Sequence, residues 1–392
     1  MRLAATELGL PALPPARFSV ADPQHCPERQ KARTAMSDET MAKASFFSYQ
    51  SRSMGSIFSA RRASIPSERS DMAWPVWADR LPSSASRALP EGGLRTLGRE
   101  KKGSAEQPLV SYVTVVRNNT STLARTIESV RKQTYGNVEH IVLDGASTDG
   151  TLELIKQYAD RLDYFVSEPD QGLYDAINKA VPLARGQLIC VLNSDDWLEP
   201  RAADIAVRRA RAWADDASLL LTAALVRSDG RIHQWQPALV DPGSYFTLAN
   251  DCHNAIYATR TAYERSGPYD TSYRIAADFK WIMACLESGV RFVYTMKPTV
   301  NYSLGGASSD VRLHSIECMR VVSERFDFLD PAEVRGLYHC FFMLAGTFAS
   351  QQSDRPSNPA TFLQALVATH KSRPDFVDAV RFASMTRLQP GA

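Results

Sequence analysis

From Leu109 onward the chain alternates short apolar runs with stretches of helical spacing, and this alternation limits the fold more than any other feature. Leu109-Val-Ser-Tyr-Val-Thr-Val-Val reads as a strand buried on both faces. Residues 122–133 then set Leu123, Ile127 and Val130 on one helical stripe, which Gly136 ends. The cycle repeats: a strand over 138–143, the turn Asp144-Gly-Ala-Ser-Thr-Asp-Gly, and a helix over 151–158 with Asp149 as its N-cap. A strand over 164–167 leads to a helix from Leu173, which Pro182 kinks or ends before Gly186, and a strand over 188–192 follows. Successive strand–helix units of this kind predict a parallel sheet with helices on both faces, wound right-handedly.

After Asp196 the rhythm loosens. The pattern gives a helix near 201–214 and a hairpin, 219–227 with 231–235, around Ser228-Asp-Gly. A short strand at 255–257, a helix over 277–287 and a strand over 290–295 come next. Beyond Leu313 only helical patterns remain, at 334–348 and 361–369. Residues 1–107 differ in texture: they are rich in Ser, Arg, Ala and Pro, lack sustained periodicity, and read as a disordered leader. A short helix at 42–49 or an apolar clip at 74–77 is the structured alternative within it. The expected organisation is a leader (1–107), an α/β domain (108–310) divided at about 200, and a helical C-terminal extension (311–392).

Composition narrows the function classes. The 392 residues are 44% hydrophobic and 22% charged, values of a globular chain. Lys and Arg total 45 against 43 Asp and Glu, a net +2, so no basic field points to nucleic acid. No uninterrupted apolar stretch approaches the ~18–20 residues that cross a bilayer, which argues against a polytopic membrane protein. The N-terminal apolar run, broken by Glu7, Pro11, Pro14 and Pro15, does not read as a secretory signal, so a cytoplasmic location is expected. Six widely spaced cysteines, without a C-x-x-C pair, read as reduced thiols.

In open parallel sheets, ligands bind at the carboxyl ends of the strands. The residues there are Arg117-Asn118-Asn119, Asp144, Glu168-Pro-Asp170 and Asn193-Ser194-Asp195-Asp196. A rim this rich in carboxylates suits a divalent cation and a nucleotide diphosphate. Asp195 and Asp196 at the end of an apolar strand repel each other unless a hard cation or donors compensate; a helix N-cap with surface charge explains them equally simply. Asp144 can accept from a nucleobase or ribose, or close an Asx-turn. Neither G-x-x-x-x-G-K-[ST] nor G-x-G-x-x-G occurs, which disfavours P-loop ATPases and dinucleotide dehydrogenases.

These clusters occur in a familiar order. Val142-Leu-Asp-Gly-Ala-Ser-Thr-Asp-Gly-Thr151, Glu168-Pro-Asp-Gln-Gly-Leu-Tyr-Asp-Ala-Ile-Asn-Lys179, Ala184-Arg-Gly186 and Leu192-Asn-Ser-Asp-Asp-Trp197 resemble the nucleotide-sugar-binding half of family 2 glycosyltransferases of the GT-A type. Asp251-Cys-His-Asn254, the run from Tyr269 to Phe279, and Gly305-Gly-Ala-Ser308 continue the likeness, which is strongest to the branch serving colanic acid and other exopolysaccharide assembly. The resemblance implies a GT-A, Rossmann-like, mostly parallel sheet flanked by helices. It implies an inverting transfer from a nucleotide-sugar donor to a glycan or polyprenyl-lipid-linked acceptor, with Mg2+ or Mn2+. Residue by residue, Asp144 would meet the nucleobase beside Val116, Arg117 and Asn118, and Asp170 would lie near the ribose or sugar. The family's D-x-D falls on Asn193-Ser194-Asp195; the first carboxylate is an amide here, leaving Asp195, then Asp196, as metal contacts.

Asp278 matches the family's general base. Chemically, an inverting transfer needs one carboxylate to take the acceptor proton, while a cation or fixed donors stabilise the leaving diphosphate. Asp278 opens a helix beside Phe279, Trp281 and Ile282, although an N-terminal helix carboxylate is also favoured by the macrodipole alone. His253 and Asn254 read as an acceptor or diphosphate contact, or as a hydrogen-bonded core pair. Gly305 and Gly306 read as a loop that orders over the donor, or an ordinary turn. Arg208-Arg-Ala-Arg211 is a solvated helix face or an attraction to anionic lipid at the inner face of the plasma membrane. A catalytically degenerate nucleotide- or sugar-binding protein, which Asn193 makes credible, and a nucleotidyltransferase are the competing functions.

Overall fold

Seven consecutive buried residues, Val-Ser-Tyr-Val-Thr-Val-Val, make strand β2 (Val110–Val116) the axis of a sheet covered on both faces. The computed structural model describes residues 89–210, 216–228, 231–237, 246, 252–306, 310–341 and 356–387. Around β2 lie β1 (Glu91–Gly92), β3 (Val138–Asp144), β4 (Tyr164–Ser167) and β5 (Leu188–Val191). β6 (Trp197–Leu198), β7 (Ser218–Ser228), β8 (Arg231–Trp235), β9 (Ile256–Thr259) and β10 (Arg291–Tyr302) complete the strands among the described residues. The sheet order is β1-β4-β3-β2-β5-β9-β7-β10-β6, with β8 paired to β7.

The four strands β4-β3-β2-β5 are mutually parallel, and β10 is parallel to β7. Antiparallel pairings enter at β9, between β5 and β7, and at β1, β6 and β8. The expected α/β architecture, a central mostly parallel sheet flanked by helices, is therefore what is observed. Its helices are α1 (Leu123–Arg131), α2 (Thr151–Gln157), α3 (Leu173–Ala180), α4 (Ala202–Ala210), α5 (Arg260–Ser266) and α6 (Ala277–Glu287). α7 (Val311–Arg325), α8 (Pro331–Phe341), α9 (Pro359–Thr369) and α10 (Pro374–Arg387) follow.

α1 and α4 bury the stripes their spacing predicts. Leu123, Ile127 and Val130 are buried on α1, and Ala202, Ala203, Ala206, Val207 and Ala210 on α4. Pro182 stops α3 at Ala180 and the chain tightens into a 3-10 turn, Val181–Leu183. Asp149 serves the start of α2 from one position earlier than an N-cap: its Oδ1 accepts from the Thr151 amide at 3.0 Å, and Gly150 holds the cap position. Phe246 stacks on Phe326 and Phe341 and meets Phe376 edge-on, joining the chain after α7, α8 and α10. α9 belongs to a separate compact unit, in which Asn358 caps its first turn through the Thr361 amide.

The leader boundary moves. Residues 89–107, assigned to the leader from composition, include β1 on the β4 edge and a 3-10 turn, Leu94–Leu97. Arg95 is buried there against Glu139 of β3 and donates to the Leu183 carbonyl at 2.7 Å. Local texture missed this because the partner charge is 44 residues downstream. The expected helix at 42–49 and clip at 74–77 lie outside the described residues, as do Asp251, Arg211, and positions 307–309.

Candidate active site

At the carboxyl end of β3, apolar neighbours draw Asp144 fully inside, at 0% exposure. Its Oδ2 accepts from the Ser147 amide at 3.1 Å and the Ser167 hydroxyl at 2.6 Å. Its Oδ1, equally buried, takes no hydrogen bond from any described residue. An unsatisfied buried acceptor costs stability, and its persistence at a strand end marks a place kept for a donor. The backbone around it is tight: Asn118 and Ala146 both have positive φ, 52° and 56°, in the left-handed region that side chains avoid. Asn118 Oδ1 accepts from the Thr148 amide at 2.9 Å and its own amide donates to Ser147 Oγ at 2.8 Å, fixing the first loop to the second. Gly145 lets the Asp170 carboxylate approach the backbone, where a Cβ would displace it. Asp170 thus stands against Gly145, with exposed Arg117 3.8 Å from its Oδ1.

The second cluster is the turn after β5. Asn193 Oδ1 is another buried oxygen without a partner among the described residues. Ser194 is held from β2's exit loop and α1: Asn119 Nδ2 donates to its Oγ at 3.0 Å, and the Thr122 and Thr126 hydroxyls donate to its carbonyl at 2.9 Å. Asp195 is half-buried, and burial raises its carboxyl above the ordinary range against the pull of Arg125. Its Oδ2 lies 3.0 Å from where a Cβ on Gly306 would be, so the carboxylate faces the Gly305–Gly306 loop.

Asp196 has a different place from the metal contact expected of it. It is 1% exposed, its Oδ2 accepts from Asn254 Nδ2 at 2.5 Å, and its Oδ1 accepts from the Ser303 amide at 2.6 Å. Burial first, then neighbouring Asp195, lifts its pKa to about 8. Asp196 is a tie between the β5 turn, Asn254 and the end of β10. Asn254 likewise is no acceptor contact: it is buried under the turn, and its Oδ1 accepts from the Asn193 amide at 3.1 Å. His253, next to it, bonds through Nε2 to the Tyr269 hydroxyl at 3.0 Å, and burial holds its pKa low against the field of Asp278.

Asp278 sits in the first turn of α6, half-buried. Its Oδ1 accepts from the Phe279 amide at 2.8 Å and lies 3.1 Å from the Tyr174 hydroxyl. Burial, then the Asp278 charge, keeps the Tyr174 phenol protonated. The acidic residues are therefore joined by short chains of contacts. The Asp170 carboxylate lies against Gly145, next to Asp144 in the chain, and the helix after Asp170 brings Tyr174 to Asp278. Asn254 bonds to Asn193, while His253 beside it feels Asp278.

With this geometry in view, residues 111–261 match the model of the family described as Glycosyl transferase family 2. That segment is similar to family 2 glycosyltransferase domains. A "PGL/p-HBAD biosynthesis glycosyltransferase" of Mycobacterium bovis is 28% identical over 210 residues, 52% of this chain and 80% of that one. An uncharacterized glycosyltransferase of Mycobacterium tuberculosis is 42% identical over 90 residues, 23% of this chain and 34% of that one. The TarS 1–349 fragment of S. aureus, solved in complex with UDP-GlcNAc, has a TM-score of 0.50 at 18% identity. It covers 72% of this chain and 93% of the fragment, and the likeness shows the fold. Against the longer TarS chain the span is 55%, little more than half its length.

Several residues around this site escaped sequence reasoning. Arg125 lies over the Trp197 ring at 3.8 Å and donates to the Asp195 carbonyl at 2.8 Å. Ser303 donates from Oγ to the same carbonyl at 2.6 Å, which pins the start of the glycine loop. Tyr174 and Asn178, one helical turn apart on α3, share a face and hold the loop before α6; Asn178 brackets Tyr269 by bonds of 2.8 and 2.9 Å. Their spacing within the Glu168–Lys179 motif was the available signal. Ala184-Arg-Gly186 lies at the opposite end of the sheet, where Gly186 leaves room for Ser111 and the Leu109 carbonyl.

Among the described residues no group of three or more His, Cys, Asp and Glu stands ready for a metal. A site completed by substrate phosphates fits better: Asp195 offers a carboxylate and Asn193 an unbonded amide oxygen, both hard ligands from one turn. No helix among the described residues is long and apolar enough to cross a membrane.

Proposed function

We propose that the domain transfers a sugar, with inversion, from a nucleotide-diphosphate donor to a hydroxyl of a glycan or polyprenyl-lipid-linked acceptor in polysaccharide assembly. The observation that carries this reading is the buried, unbonded Asp144 Oδ1 at the carboxyl end of a parallel strand. It suits a nucleobase N–H, and Asp170 against Gly145 suits the ribose or sugar hydroxyls. The match of residues 111–261 to the family model supports the reaction class, and the UDP-GlcNAc complex of a protein with this fold suggests UDP as the first nucleotide to test.

In the reaction the acceptor oxygen attacks the anomeric carbon, the bond from that carbon to the diphosphate oxygen breaks with its electron pair, and the acceptor proton passes to Asp278. The Phe279 amide donates to one oxygen of Asp278, with the Tyr174 hydroxyl 3.1 Å from it, which leaves the other oxygen for the acceptor. Mg2+ or Mn2+, held by Asp195 and the Asn193 amide oxygen, would supply charge neutralisation to the leaving diphosphate. Ser303, Arg125 and Asp196 hold Asp195 and the glycine loop in register. Peripheral attachment at the inner face of the plasma membrane suits a lipid-linked acceptor, and exposed Arg208 in the last turn of α4 is its support.

The test is nucleoside diphosphate release from a panel of UDP-GlcNAc, UDP-glucose, GDP-mannose and dTDP-rhamnose, with and without Mn2+. Release abolished in Asp278→Asn while nucleotide affinity survives supports the transferase. Tight nucleotide binding without turnover on any donor would instead favour the binding protein that Asn193 suggests.

A further inference from the structure

The loop 269–278 brings Asp278 to the site, and three elements hold it. Two belong to the matched segment: Asn178 fixes Tyr269, and Tyr174 donates to the Ile275 carbonyl. The third is Glu317 of α7, outside the family-matched residues. Glu317 is 6% exposed, and its carboxylate accepts from three consecutive backbone amides. Oε1 accepts from Arg274 at 2.8 Å; Oε2 accepts from Ile275 at 2.8 Å and Ala276 at 2.9 Å.

These amides lead directly into α6, whose own cap residue, Ala276, provides no side-chain bond. Bonds from N–H groups to an ionised carboxylate are about twice as strong as neutral ones. Among the described residues its three donors are all backbone amides of this loop. α7 itself starts after the glycine loop and is capped by Asp310 through the Leu313 amide. The helix that follows thus grips the backbone leading into α6 with Glu317.

We propose that Glu317 is a positioning residue for Asp278, so that α7 is part of the catalytic unit and not an appended helix. The proposal rests on the reading of Asp278 as general base. The carboxylate sets the path of residues 274–276 and hence the place of Asp278 relative to the acceptor hydroxyl; nucleotide binding, at the ends of β2, β3 and β5, does not depend on it.

The experiment compares Glu317→Ala, Glu317→Gln and Asp278→Asn in the full chain. It uses the panel donor that turns over fastest, UDP binding in Mn2+, and hydrogen exchange of amides 274–276. Glu317→Ala is expected to lose kcat on the order of 10²-fold with donor KM and UDP affinity within about twofold, since small misplacements of a catalytic group have this cost. Its amides 274–276 exchange faster. Glu317→Gln, which keeps one oxygen for Ile275 and Ala276, recovers part of kcat. Unchanged amide protection in Glu317→Ala, an unchanged kcat, or a UDP affinity that falls in step with kcat overturns the proposal. An active Asp278→Asn would remove the base assignment itself, whatever Glu317 does; an inactive Asp278→Asn beside a fully active Glu317→Ala removes only the positioning role.

Discussion

The two ends of the parallel strands treat buried polar groups in opposite ways. At the amino end of the strands β4-β3-β2-β5 the buried charged groups are answered, although Ser218 Oγ at the start of β7 has no partner among the described residues. Arg95 and Glu139, with side chains 3% and 1% exposed, pair with each other. Glu139 also accepts from the Ser111 hydroxyl and from the Arg185 amide at 2.6 Å. Asp163 accepts from the His140 amide at 2.8 Å and from Lys101 at 3.0 Å. At the carboxyl end Asp144 Oδ1 and Asn193 Oδ1 are buried without partners, and Asn118 and Ala146 sit at positive φ. The first end spends its polar chemistry on holding the chain; the second leaves acceptors open, and open acceptors in a dry place are what a ligand can use.

The sharpest way to break this comparison is at the amino end. Glu139→Ala would leave the Arg95 guanidinium buried and uncompensated, and the loss expected is about 3–5 kcal/mol in denaturant unfolding. UDP affinity of the folded variant should match the parent. A loss below about 1 kcal/mol, or a weakened UDP affinity, would mean that the two ends are not separate in function.

This network also shows what the sequence could not reveal. The strands around β2 and the motifs after them were legible because burial period and strand-end chemistry are local: Val110–Val116, Asp144 and the Asn193 turn are each contiguous. Arg95 looked like one more arginine in a polar leader because Glu139 is far away in sequence. Asp196 looked like a metal ligand because its partners, Asn254 and Ser303, come 58 and 107 residues later. Tyr174 and Asn178 showed only as a one-turn spacing within the Glu168–Lys179 motif, and Glu317 was invisible for the same reason, since a side chain's partner across a fold leaves no periodicity.

The next largest effect is in pH. Burial depresses the His140 pKa from 6.5 to about 3, so the folded chain keeps a neutral imidazole where the unfolded chain takes a proton. Stability from this group is complete above pH 6.5 and is lost as pH falls toward the folded value, by about 1.4 kcal/mol per pH unit. His140→Gln, whose amide can still meet Thr114, should flatten the unfolding free energy between pH 6.5 and 4 by roughly 3 kcal/mol. An unchanged slope would assign the acid sensitivity to other groups.

At the carboxyl end Asp144→Asn separates folding from binding. The amide oxygen can keep the bonds from Ser147 and Ser167, and its NH2 then occupies the place of the unbonded Oδ1. Thermal stability should be equal to the parent or slightly higher. UDP affinity should fall about 10-fold or more, because a donor now faces the nucleobase N–H where a charged acceptor stood. Equal loss of stability and affinity would show that Asp144 is a turn residue and nothing more.

The smallest effect sharpens the comparison most, because it tests a distance and not a charge. Gly306 sits so that an added Cβ would lie 3.0 Å from Asp195 Oδ2, closer than carbon and oxygen rest in contact. The Asp195 carboxylate would have to move by a few tenths of an ångström while its backbone stays pinned by Arg125 and Ser303. Gly306→Ala should therefore leave the unfolding midpoint unchanged and weaken Mn2+-dependent UDP binding about threefold, ~0.7 kcal/mol. Weakening that is the same with and without Mn2+ would place the strain on the nucleotide and away from Asp195. No weakening at all would mean that the carboxylate and the loop do not share the donor.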